Sequence, residues 1–227
     1  MNLSFLSRTS LFQGCSEKDI RRITEQWNLR PLSYKKDAVI YEEGTIITQI
    51  GLVLSGSVRI GFYDFRGNQN ILDIAYTGDI FAEAYACIPE EPLMIHVTAN
   101  EPCEILFIRV PELFNSQNRS DTQNRLLRNL MTICAQKNLQ LSRRSLHTSP
   151  KTIRERLLSY FSFLIREQGS HKIATPFNRQ QLADYLNLDR SALSKELGRM
   201  KKEGLLDYHK NIFELKIQNE PGEKPAD

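Results

Sequence analysis

The chain has 227 residues, enough for two domains, and its 41% hydrophobic and 25% charged residues are those of a packed globular protein rather than a disordered one. No apolar run reaches bilayer length, and the opening MNLSFLSRTSLF interleaves Ser, Arg and Thr, so neither a membrane span nor an export signal is expected. Cys15, Cys87, Cys103 and Cys134 are scattered without a CxxC pair, which points to free thiols in a cytoplasmic protein and away from a disulfide framework.

In chain order, LFQGCSEKDIRRITEQW predicts a short amphipathic helix with Ser16 as N-cap, Asp19 at the third position and Ile20, Ile23 and Trp27 on one face. From Pro31 to Val110 the pattern turns to short β-type runs: AVIYEEG, IGLVLSG, SVRIGFYD, NILDIAY, MIHVTAN and EILFIRV. DFRGNQ reads as a hairpin turn with Gly67 at positive φ. Evenly spaced short strands predict a sandwich or jelly roll.

After Pro111 the period becomes helical and runs unbroken from about Asp121 to Ser145. Leu127, Leu130, Cys134, Lys137 and Leu141 alternate steps of three and four, a heptad seam suited to a parallel dimer. A stripe this short fits equally well a helix packed on its own β domain. Ser149 followed by Pro150 is then expected to cap a further helix, KTIRERLLSYFSFLIREQGS, ending at Gly169. These signals divide the chain into a β domain (1–120), a dimerisation helix (121–146), a C-terminal domain (147–218) and a disordered tail (219–227).

Residues 141–217 hold 15 Lys and Arg against 8 Asp and Glu, net +7, whereas the whole chain is only +3; the C-terminal third is therefore a candidate polyanion-binding module. Within it, FNRQQLADYLNLDRSALSKELGRMKKEGLL carries the strongest signal. Asn178 and Gln181 form a capping-box start, Leu182 and Leu186 an inner face, and Asn187-Leu188-Asp189 a short turn. Asp189 caps a second helix with Leu193, Leu197 and Met200 inside, which makes a helix-turn-helix. Ser191, Lys195, Gly198 and Lys202 lie opposite that stripe, Ser194 and Arg199 flank them, and Arg190 occupies the first turn. LLDYHKNIFELKI reads as two strands turning at His209–Asn211, a wing. The plainer reading is an αα-hairpin and a β-hairpin with no role on DNA.

The order of β-roll, long helix and RQQLADYLNLDRSALSKELGRMKKEGLL resembles the Crp/Fnr family of bacterial transcription regulators over nearly the whole chain. YEEG at Gly44, LSGSV at Gly56 and TGDIFAEA at Gly78 match the glycine pattern of its effector domain. The resemblance implies an α+β protein, with an N-terminal double-stranded β-helix (jelly-roll), a long dimerisation helix and a C-terminal winged helix-turn-helix. It implies a homodimer on a two-fold symmetric double-stranded DNA operator, RNA polymerase as partner, no membrane and no enzymatic activity. Arg190, Ser194 and Lys195 match positions that read bases or phosphates, and Arg199, Asn178 and Arg179 join them as candidates. Ser191 departs from the Glu often found there, and Lys195 stands where Arg is usual, removing a bidentate guanine contact.

In the family's cyclic-nucleotide members, the segment after Gly-Asp supplies a Glu for the ribose and an Arg for the cyclic phosphate. Glu83 fits the first; the second position falls on Leu93 or Met94. No Lys or Arg occurs between Arg66 and Arg109, an interval that holds Asp73, Asp79, Glu83, Glu90, Glu91, Glu101 and Glu104. A buried phosphate there lacks a cation, which disfavours a cyclic nucleotide unless Lys137 supplies one. The expectation is an unidentified small effector held by Glu83, Ala84, Tyr85, Cys87, Leu93, Met94 and Lys137. With one N-terminal cysteine and only His96 in the β region, no metal, haem or iron–sulfur cluster is expected. Thiol sensing at Cys87 and Cys134, a cupin-like enzyme, a protein-interaction module and a roll that binds nothing remain as alternatives.

Overall fold

The computed structural model describes residues 1–64, 66–67, 69–115 and 120–216, so the expected tail at 219–227 lies outside the described residues. Helix α1 (Leu3–Leu6) precedes α2 (Glu17–Gln26), whose Ser16 side chain accepts the Asp19 N–H at 3.2 Å and whose Ile20 and Ile23 are buried, as the sequence predicts. Eight strands follow: β1 (Pro31–Tyr34), β2 (Val39–Tyr41), β3 (Gln49–Ser55), β4 (Ser57–Tyr63), β5 (Gln69–Tyr76), β6 (Ile80–Phe81), β7 (His96–Ala99) and β8 (Cys103–Arg109). They pair antiparallel in two four-stranded sheets of order β1-β8-β3-β6 and β2-β7-β4-β5, with Ile50, Leu52, Val58, Val97, Ile105 and Leu106 in the roll's core. β1 and β6 escaped the sequence pattern. The first begins on a proline and forms only by pairing with β8, and the second is two residues long. Gly51 is required where β3 meets β6, because a Cβ there would lie 2.1 Å from the Phe81 ring. Two short helices complete the unit, α3 (Glu83–Ala86) and α4 (Val110–Phe114).

Helix α5 (Asp121–Thr148) opens on a reciprocal cap. Ser120 accepts the Gln123 N–H, and Gln123 Oε1 accepts the Ser120 N–H at 2.8 Å. The chain's two compact units divide inside this helix, at 137/138, within the stretch 121–146 set apart in the sequence as the dimerisation helix. Ser149 does not cap the next helix. Its backbone N–H and its hydroxyl both donate to the Ser145 carbonyl, so it finishes α5, and the Pro150 carbonyl accepts from Arg156. The cap of α6 (Ile153–Gln168) is Thr152, in a full capping box with Glu155.

The second unit adds β9 (Lys172–Ala174), α7 (Arg179–Tyr185), α8 (Arg190–Lys202), β10 (Leu206–His209) and β11 (Ile212–Leu215). Its core joins Leu157 and Phe161 of α6, Leu182 of α7, Phe213 of β11 and the predicted Leu193, Leu197 and Met200 of α8. β10 and β11 are the predicted wing; β9, a third strand beside β11, had no alternation to reveal it.

His147, within the last turn of α5, is buried beside Tyr160, Phe163 and Tyr185, with Nδ1 3.1 Å from the Ser159 hydroxyl. Burial, and secondarily the Arg166 charge, holds its pKa below the usual imidazole value. The unfolded chain, titrating near ~6.5, then binds the extra proton first. Stability from this site is complete above that pH and is lost as pH falls below it. The urea midpoint of the second unit is expected to drop between pH 7.5 and 5.5, and His147→Phe to flatten that dependence.

Candidate nucleic-acid interface and effector lid

Helix α7 starts on the predicted capping box. Asn178 Oδ1 accepts the Gln181 N–H, and Gln181 Oε1 accepts the Asn178 N–H, both at 2.9 Å. The turn into α8 places Asn187 at φ 54 and seats the half-buried Leu188 against the core. Two arginines hold this turn that sequence reasoning did not single out. Arg144 donates to the Asp184 and Tyr185 carbonyls, and Arg156 to those of Leu186 and Asn187. Both neutralise the partly negative C-terminal end of α7.

On α8, the Asp189 carboxylate accepts the Ser191 and Ala192 N–H groups at 2.8 and 2.9 Å and also the Ser191 hydroxyl. That hydroxyl bond, foremost, holds the Asp189 pKa below the ordinary carboxylate value. The Ser191 hydroxyl proton is thereby engaged, and the exposed residue keeps its oxygen as an acceptor. Arg190, Ser194 and Lys195 are exposed, and neither Arg190 nor Lys195 joins an ion pair among the described residues. Arg199 instead bonds Glu203 at 3.0 Å, and Arg154 ties Glu203 and Glu196 to α6 at 2.7 Å each. Arg179 turns to the wing, its guanidinium 5.0 Å from the Tyr208 ring centroid. The predicted row is thus presented at Arg190, Ser191, Ser194 and Lys195, while Asn178, Arg179 and Arg199 are engaged within the domain.

A cyclic nucleotide-binding domain model matches residues 31–118, and a Crp-like helix-turn-helix domain model matches residues 155–221. The chain belongs to the Crp/Fnr family. It is a Crp-like DNA-binding transcriptional regulator with an effector-binding domain. A CRP-like cAMP-activated global transcriptional regulator of Mycobacterium tuberculosis is 23% identical over 193 residues, 85% of each chain. Among solved structures, the catabolite activator protein of Thermus thermophilus superposes with a TM-score of 0.51 at 19% identity, covering 92% of this chain and 94% of that one. The c-di-GMP responsive global regulator CLP of Xanthomonas campestris gives 0.52 at 19%, covering 86% and 97%. Both share the Crp-like fold.

In this Crp/Fnr regulator the Gly-Asp turn leads through β6 to Ala82, a non-glycine residue at φ 62, and then into α3. Glu83 is 7% exposed. Its Oε1 lies 2.8 Å from Lys137 Nζ, which also donates to the Ile80 carbonyl at 2.9 Å. Glu83 Oε2 is buried with no hydrogen-bond partner. Lys137, the one cation considered for a phosphate, is therefore already neutralising Glu83. Tyr85, Cys87 and Cys134 pack half-buried beside this pair.

The rest of the expected lining is not assembled. Leu93 is 1% exposed in the roll's core, its backbone paired to Gly44 and Thr45, and Met94 beside it and Ala84 on α3 are exposed. The heptad seam divides likewise. Leu130 is buried in the roll, and the Lys137 ammonium is bonded to Glu83 of α3 with the side chain partly exposed. Leu127 is half-buried, and Leu141 and the unpredicted Met131 are exposed. Burial pushes the Cys87 thiol up to about 11, helped by neighbouring Cys134 and Glu83, and burial raises Cys134 as well, so both stay protonated at neutral pH. His96 is buried and stacked on Tyr63, and no group of three metal-ligating side chains occurs among the described residues.

Lys137→Met leaves a buried carboxylate unpaired and is expected to destabilise the roll by about 1–3 kcal/mol, the low side for a buried pair because the lysine stem is partly exposed. The double variant Glu83→Gln/Lys137→Met should recover most of that loss in a urea-unfolding cycle.

Proposed function

We propose that the chain acts in the cytoplasm as a homodimer on a two-fold symmetric operator, with α8 of each protomer in the major groove of one half-site. The observation that carries this reading is the row Arg190, Ser191, Ser194 and Lys195, exposed on a helix whose opposite face is buried. Arg190 suits guanine acceptors, and Ser191, its proton donated to Asp189, suits an amino group such as cytosine N4 or adenine N6. Leu127, Met131 and Leu141 on α5 supply the dimer contact, and RNA polymerase is the downstream partner.

The roll receives a small effector that donates a hydrogen bond to Glu83 Oε2 and carries no phosphate. Two observations support this: the buried acceptor without a partner, and the engagement of Lys137 by Glu83 with Leu93 buried where a phosphate-binding arginine is expected. The named relatives answer to cAMP in one case and to c-di-GMP in another, so the fold does not fix the ligand. A thiol-responsive reading is weakened by the raised pKa of Cys87 and Cys134.

Selection of bound duplexes from a random library is expected to return a palindrome with half-site centres one helical turn apart. On that site Arg190→Ala should weaken binding about 10–100-fold and Lys195→Ala less, with the dimer intact by sedimentation. Unchanged affinity in both variants would remove α8 as the reading helix. Cyclic AMP at saturating concentration is expected to leave the affinity unchanged.

A further inference from the structure

Beyond the shared core, one aromatic ring links the wing to both helices of the helix-turn-helix. Tyr208 on β10 stands opposite Phe213 on β11, their centroids 5.8 Å apart. Arg179, the first residue of α7, places its guanidinium 5.0 Å from the Tyr208 centroid and 5.4 Å from that of Phe213. Lys201, in the last turn of α8, holds its ammonium 5.4 Å from the same Tyr208 ring and pairs with Asp207 on the wing. Two cations, one from each helix of the motif, therefore grip one wing residue, by attraction to the electron-rich ring face.

The grip reaches the hairpin tip. Arg179 Nη2 donates to the Lys210 carbonyl at 3.4 Å, and Asn211 Nδ2 donates to the Thr175 carbonyl at 3.0 Å. Lys210 closes the two-residue turn between His209 and Ile212 at φ 54, a conformation more usual for glycine or asparagine, and its side chain is exposed. Asn178, Arg179 and Lys210 line one cleft. Within it Arg179 has lost part of its hydration to the rings, and burial lowers its pKa. Lys210 joins no ion pair among the described residues.

We propose that Arg179 is a positioning residue for DNA binding. Held over Tyr208 and Phe213 and bonded to the Lys210 carbonyl, it fixes the wing tip so that the Lys210 ammonium meets the DNA backbone, and it contacts no phosphate itself. This rests on the reading of the helix-turn-helix as the DNA-binding element and assigns the wing a share of the phosphate contacts.

The test is fluorescence anisotropy of the full chain on a short mixed-sequence duplex across a salt series, since each phosphate contact contributes about 0.9 to the slope of log affinity against log salt. Lys210→Ala is expected to lower the wild-type slope by about 0.9, so that a fourfold rise in salt weakens it about 3.5-fold less than wild type. Arg179→Met should give the same loss, and Arg179→Met/Lys210→Ala no more than either alone. Tyr208→Leu, which keeps both charges, should match them, and Tyr208→Phe should restore the wild-type slope. Additive slopes in the double variant mean that Arg179 touches a phosphate directly and overturn the proposal, as does a wild-type slope in Tyr208→Leu. If Arg179→Met fails to fold by circular dichroism, the Leu–Phe comparison at Tyr208 decides alone, equal slopes overturning the proposal. A wild-type chain whose duplex binding is insensitive to salt would remove the DNA-binding reading itself. Wild-type binding with additive slopes removes only the positioning role.

Discussion

One helix has to serve two hydrophobic cores, and much of this protein's architecture follows from that constraint. At about 100° per residue, α5 can bury only one arc. Leu126, Leu130 and Ile133 give that arc to the roll, and a few turns later His147 is buried in the second unit. What the helix offers outward must therefore come from between those positions, at Leu127, Met131 and Leu141. Lys137 lies on the inward side, where its ammonium closes on Glu83 of the short helix α3. That pair, with the bond from Lys137 to the Ile80 carbonyl, makes α3 part of the packing of α5.

The second unit shows a comparable division among its charges. Its net +7 over residues 141–217 looks like a uniform basic face, yet many of those cations are internal fittings. Arg144 and Arg156 hold the turn of the motif, Arg154 fastens α8 to α6, and Arg179 with Lys201 grips the wing. The groups left outward on α8 include Arg190, Ser191, Ser194 and Lys195, so the outer face of this helix is set by their spacing rather than by the total charge. Ser191 has a defined polarity on that face because Asp189, while capping the helix, accepts its hydroxyl hydrogen bond.

Much of this was legible in the sequence where the signal is local. The caps at Ser16, Asn178 and Asp189, the positive-φ turn at Gly67, the helix end at Gly169, and the stripe Leu193, Leu197 and Met200 all follow from near neighbours, and the structure bears them out. The misses are non-local. β1, β6 and β9 exist because of the strands they join, and Leu93 is core because its backbone pairs with the Gly44 turn. Ser149 was a sound local cap that lost to α5 running three residues further than its pattern.

The sequence by itself determined the order of elements, the two-helix motif and the absence of Lys and Arg from 67–108, because capping, periodicity and composition are properties of short stretches. Only the tertiary structure decided which charges are partnered. Glu83 meets Lys137 across 54 residues, and Arg179 reaches Tyr208 across 29, and neither separation leaves a mark in the chain between them. The strength of a charge is set by what lies within a few ångströms in space, and the fold alone supplies those neighbours.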